Sequence, residues 1–99
     1  MSDTRFDDFV SVLKAKLKAE NLSTSYFHYN TMSDGTVNFM YKDWQIGRVY
    51  FGKKVSRMQI IDDDKVEWVN NKSLDYYISR IPKWIEYVKH LEENENFLK

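Results

Sequence analysis

The chain contains no cysteine. That absence removes disulfide frameworks, thiolate metal sites and cysteine nucleophiles together, and it points to a reducing, cytoplasmic setting. Glycine occurs three times and proline once. The glycines stand apart, at Gly35, Gly47 and Gly52, so no glycine-rich loop is available to cradle a phosphate. Nor is there a Gly-x-Ser-x-Gly nucleophile elbow. No apolar run approaches the length of about 18 residues that marks a membrane span. Met1-Ser2-Asp3-Thr4 lacks the basic start and apolar stretch of a secretory signal. Charge of one sign is also missing: 15 Lys and Arg balance 15 Asp and Glu, so net charge recruits neither nucleic acid nor an anionic membrane.

Aromatic residues are plentiful, with three Trp, seven Tyr and six Phe among 99 residues. Together with 42% hydrophobic and 30% charged residues, they suit one soluble folded domain over residues 1–99. Its ordered core is expected over about 4–91, with the acidic tail 92–99 fraying.

Periodicity predicts the order of elements. Phe6, Phe9, Val10, Leu13 and Leu17 recur at steps of three and four, the stripe of an amphipathic helix from Thr4 to Asn21. Thr4 serves as its N-cap, and Asp7 and Asp8 suit its positive end. Aromatic and β-branched runs then follow: Tyr26 to Tyr29, Val37 to Tyr41, Trp44 to Phe51, Val55 to Ile61, and a short Val66 to Val69. Asp34-Gly35 marks a hairpin between the first two runs, and Lys42-Asp43 turns into the third. From Ser73, an N-cap, the helical stripe returns through Leu74, Tyr77, Ile78, Ile81, Ile85, Val88 and Leu91. Pro82 lies inside it and predicts a kink near Ile81, or two helices meeting there. The fold class is therefore α+β: an N-terminal helix, an antiparallel meander of four to five strands and a C-terminal helix kinked near Pro82, packed as a two-layer sandwich.

Register decides which side chains share a face, because one residue of slip exchanges the faces. A two-residue Asp34-Gly35 turn would set His28 opposite Tyr41. It would also spread apolar residues over both faces of the first hairpin, with Tyr26, Val37, Phe39 and Tyr41 on one side and Phe27, Tyr29 and Met40 on the other. For the next hairpin, a connection of two or four residues places Arg48 and Arg57 on one face with Trp44, Ile46 and Tyr50. Val49, Phe51, Met58 and Ile60 then form the bed for the helices.

Chemistry-bearing residues are sparse. His28 and His90 are far apart, and Asp62-Asp63-Asp64 lacks the alternating ligands and closing Glu of a calcium loop. No metal, cofactor or enzymatic activity is expected. His28 beside tyrosines is read as packed rather than basic in catalysis. The local signal is charge among aromatics: Lys42, Arg48, Lys53, Lys54 and Arg57 interleave with Trp44, Tyr50 and Phe51 against one acid, Asp43. Such a stripe neutralises phosphates while its rings stack on bases. The expected function is a small non-enzymatic binding module for single-stranded or irregular nucleic acid through Trp44, Arg48, Tyr50, Lys53, Lys54 and Arg57. The alternative is a protein-interaction module on the same face, such as a homodimer or a small inhibitor or adaptor, since Trp, Tyr and Arg also dominate interface hot spots.

Overall fold

The computed structural model describes residues 4–62 and 65–98. Helix α1 spans Arg5–Ala19, and a 3-10 turn at Thr24–Tyr26 leads into five strands: β1 Phe27–Thr31, β2 Val37–Tyr41, β3 Trp44–Phe51, β4 Ser56–Asp62 and β5 Lys65–Asn70. Two helices close the chain, α2 Leu74–Ser79 and α3 Ile81–Leu98. The strands form one antiparallel sheet in sequence order, with β1 and β5 at its edges.

The N-terminal helix stops where Asn21 takes a left-handed φ of 60°. Leu22 N–H then bonds to Leu17 O at 2.9 Å and Asn21 N–H to Lys18 O at 3.0 Å, which satisfies carbonyls that the helix end would leave open. Thr4 holds the N-cap position, but its hydroxyl donates to Asp8 Oδ2 instead of accepting a backbone N–H. Ser73 does cap α2, accepting from Tyr76 N–H at 3.2 Å. At the other end of the C-terminal region, α2 and α3 meet at Arg80 and the pair is bent by 31°. Pro82 stands two residues beyond, where the missing N–H removes a bond to the preceding turn. The fraying expected for 92–99 concerns side chains that from 95 onward lie outside those described.

All three helices contribute to a single core on one face of the sheet. Phe9, Leu13 and Leu17 from α1, Tyr77 from α2 and Trp84, Ile85 and Val88 from α3 meet Phe27, Phe39, Tyr41, Ile46, Val49, Met58 and Ile60. A second, polar fastening lies at the mouth of β4. The buried Tyr77 hydroxyl accepts Lys72 N–H at 3.1 Å and pairs with Ser56 Oγ at 2.8 Å, while Asn71 Oδ1 accepts Ser56 N–H at 3.0 Å. These bonds tie the start of β4, the end of β5 and α2 together.

A loop and a bulge set the faces, and both differ from expectation. Thr31 pairs with Val37, Met32 N–H bonds to Thr36 O at 2.7 Å, and Gly35 N–H bonds back to Met32 O at 3.0 Å with φ 91° at Gly35. The loop therefore holds three residues rather than two. His28 pairs with Met40, not Tyr41, and Phe27, Tyr29, Val37, Phe39 and Tyr41 all turn to the helix side. The one-residue correction follows from burial: it gathers Phe27, Val37, Phe39 and Tyr41 into one core instead of dividing them. Between β2 and β3 the register slips, with Phe39 opposite Gly47 but Met40 opposite Gln45. This bulge brings Ile46 and Trp44 to the helix side. Among the described residues, no helix is long and apolar enough to cross a membrane.

Candidate functional site: the open sheet face

Among the described residues, no layer covers the opposite face of the sheet. Its strand positions are His28 and Asn30, Asn38 and Met40, Gln45, Arg48 and Tyr50, Arg57, Gln59 and Ile61, and Val66, Trp68 and Asn70. Among these described positions none is Asp or Glu.

The β3–β4 hairpin creates the basic centre of this face. Gly52 N–H bonds to Val55 O at 2.9 Å, Phe51 pairs with Ser56 and Tyr50 with Arg57. The connection of four residues puts Arg48 and Arg57 on one face, as the expectation required. The Arg57 guanidinium lies 5.5 Å from the Tyr50 ring centre, a cation–π contact that holds both side chains. Lys53 and Lys54 are exposed at the hairpin tip, at the end of this face. Arg48 stands opposite Asn38, and its Nε, like Asn38 Oδ1, is sheltered from solvent without a hydrogen-bond partner. Next to them, Gln45 Nε2 donates to Gln59 Oε1 at 3.0 Å.

One acid reaches the rim. Asp34, in the β1–β2 loop, accepts Thr36 N–H at 2.9 Å, and that bond holds its carboxyl below the ordinary range, with a smaller contribution from the charge of Arg57. Gly35, beside it, faces the edge of the Tyr50 ring.

Trp44 does not join this face. The bulge sends it to the helix side, where it stacks on Tyr41 with ring centres 6.4 Å apart, and the Lys42 ammonium lies 5.4 Å from Trp44 and 5.0 Å from Tyr26. Lys42 also reaches Glu92 at 3.4 Å. The neighbouring Tyr41 hydroxyl accepts Ser23 N–H, and burial pushes it above the usual phenol range. These contacts fill the side of a cleft of about 390 Å³ between the β2–β3 turn and α3.

In place of Trp44 the structure presents Trp68, which the sequence analysis did not include among the site residues. It is 41% exposed on β5, opposite Gln59. Alternation from the buried Val69 is the signal that places it outward. His28 is exposed opposite Met40, with Tyr41 on the other face, so the tyrosine-flanked environment expected for it is not formed. Its Nδ1 lies 3.3 Å from Tyr26 O. Among the described residues no three His, Asp or Glu side chains gather at metal-binding distance. Of the Asp62-Asp63-Asp64 run, Asp63 and Asp64 lie outside the described residues. The face can therefore offer cationic donors, amide groups and two aromatic surfaces. No protein family, curated protein or solved structure matches the chain.

Proposed function

We propose that the protein is a small non-enzymatic binding module that takes single-stranded or irregular nucleic acid on its open sheet face. The observation that carries this reading is the placement of Arg48 and Arg57 on one face whose strand positions include no carboxylate, Arg57 opposite Tyr50 and Arg48 two residues away along β3. Like charges gathered on one face repel one another, and an anion bound there offsets that repulsion. Phosphates supply that anion, and Lys53 and Lys54 extend the cationic track past the end of the sheet. Trp68 and the Tyr50–Arg57 pair provide planar surfaces for unstacked bases, and the amides of Asn38, Gln45 and Gln59 share the face with them.

A protein partner is the second reading. It draws on the exposure of Val66 and Trp68, 55% and 41%, beside two arginines.

The experiment is a chemical-shift titration of the labelled protein with a short mixed-sequence single strand at two salt concentrations. Nucleic-acid binding moves Arg48, Tyr50, Arg57 and the Trp68 indole, leaves the Trp44 indole in place, and fades as salt rises. Unmoved resonances at low salt, or shifts confined to the helices, overturn the reading and leave the face to a protein.

A further inference from the structure

Strand β5 is an edge, and four consecutive residues of it, Lys65, Val66, Glu67 and Trp68, are exposed. An edge strand presents unpaired N–H and C=O groups, and soluble proteins usually blunt such edges. Here the edge instead carries two large apolar side chains, Val66 and Trp68, on the open face. On the helix face Glu67 is fixed by Arg80, whose Nη2 lies 2.9 Å from Glu67 Oε1. The other edge, β1, offers exposed His28 and Asn30 on the open face, so a strand added there would cover no apolar pair.

The β5 sequence is complementary to itself. Antiparallel partners share a face, so a two-fold pairing of β5 with a second copy must set even-numbered residues opposite even ones. Centred on Glu67, the pairing puts Val66 opposite Trp68 of the second copy, and Trp68 opposite its Val66. These are two aromatic–β-branched pairs of the kind that stabilise sheets. On the helix side each Lys65 falls diagonal to the other copy's Glu67, so the two facing Glu67 side chains are shared among two Arg80 and two Lys65. A register two residues further along would lose this charge matching and oppose Trp68 with Trp68.

We propose that the protein forms a two-fold homodimer by antiparallel pairing of β5 with β5 of a second copy, giving one continuous ten-stranded sheet with the open faces side by side. The inference stands on the β5 edge and is independent of what the open face binds. Edge pairing of one short strand falls below the standard interface size of about 1,600 Å², so the association is of the micromolar class or weaker.

Two measurements decide it. Sedimentation equilibrium from about 1 μM to about 1 mM should show the mass rising from 12.0 kDa toward twice that value, and Val66→Lys, at an exposed position, should weaken association by about tenfold or more. Because the chain has no cysteine, Glu67→Cys introduces a single thiol. Directly opposed strand residues stand about 4.5–5.5 Å apart between Cα atoms, within the range a disulfide spans. Glu67→Cys should therefore oxidise to a covalent dimer about tenfold faster than Asn30→Cys on the β1 edge. A mass fixed at the monomer value over the whole range overturns the dimer. Association unchanged by Val66→Lys, or equal cross-linking at the two cysteines, overturns the β5 interface.

Discussion

Gly47 and Trp84 show how one missing side chain shapes this molecule. The indole of Trp84 is fully buried and donates to Gln59 O at 2.8 Å, a carbonyl on β4. The β3–β4 ladder runs from Phe51 and Ser56 to Val49 and Met58. Trp84 therefore supplies a bond where β4 runs past its ladder with β3, and it needs the space over Gly47 to do so. A Cβ at Gly47 would overlap the indole ring itself, which Phe9 and Phe39 confine with ring centres 5.4 and 5.3 Å away. Gly47→Ala should cost about 3 kcal/mol, the upper end for overpacking, because the ring cannot withdraw without losing its hydrogen bond. Urea unfolding checks this: a loss under about 1 kcal/mol would mean the ring has room to move. Tyr77 carries a different kind of residue-scale dependence, since its hydroxyl serves three segments through Ser56 and Lys72. The helical stripe marked Tyr77 for the core but did not include Trp84, and the partners that make them more than apolar volume are distant in the chain.

At the scale of elements, the turns decide what the faces become. Gly35 adopts φ 91°, and nothing but the Tyr50 ring edge lies near its missing Cβ, at 3.6 Å. Space is thus not the constraint at this position; backbone conformation is. Gly35→Ala should destabilise by about 1–2 kcal/mol, and Gly35→Asn should recover part of that loss, because asparagine enters the left-handed region more readily. Equal losses for the two variants in thermal or chemical unfolding would contradict this account. The same turn explains the limit of the sequence reading. Asp-Gly fits a two-residue turn and a three-residue loop with glycine at its end, so the dipeptide locates the hairpin without fixing its register. The choice is made by Phe27 and Tyr29 against Phe39 and Tyr41, which only one register gathers on a single side. The bulge near Gly47 has a similar history. An isolated glycine in a strand signals a bulge or a close approach, and here both occur, carrying Trp44 away from Arg48. Helices, strand order and the break near Pro82 were legible because each depends on local periodicity. Of the candidate face, the grouping of Arg48, Tyr50 and Arg57 was legible because one hairpin sets it, whereas the place of Trp68 on that face requires the whole sheet.

On the scale of the whole molecule, a net charge of zero hides a separation of charge. The strand positions of the open face carry Arg48 and Arg57 with no acid, whereas α3 carries Glu86, Glu92 and Glu93 together with Lys83 and Lys89. A nucleic acid drawn by overall charge would respond to any lost cation alike. One bound on the open face would respond only to cations lying against its phosphates, since screening over about 8–10 Å isolates the two sides of the protein at physiological salt. Lys14 on α1 is exposed and lies in the helix layer, on the far side of the sheet from Arg57. Arg57→Ala and Lys14→Ala change the net charge equally. In single-strand binding measured over a salt series, Arg57→Ala should lower the slope of log K against log salt by about 0.7, the value for one phosphate contact, while Lys14→Ala should leave it unchanged. Arg48→Ala should behave as Arg57→Ala does. Equal slopes for Lys14→Ala and Arg57→Ala would mean that the strand is held by diffuse charge. The open face would then be released from nucleic-acid binding, with its arginines and Trp68 left to a protein partner.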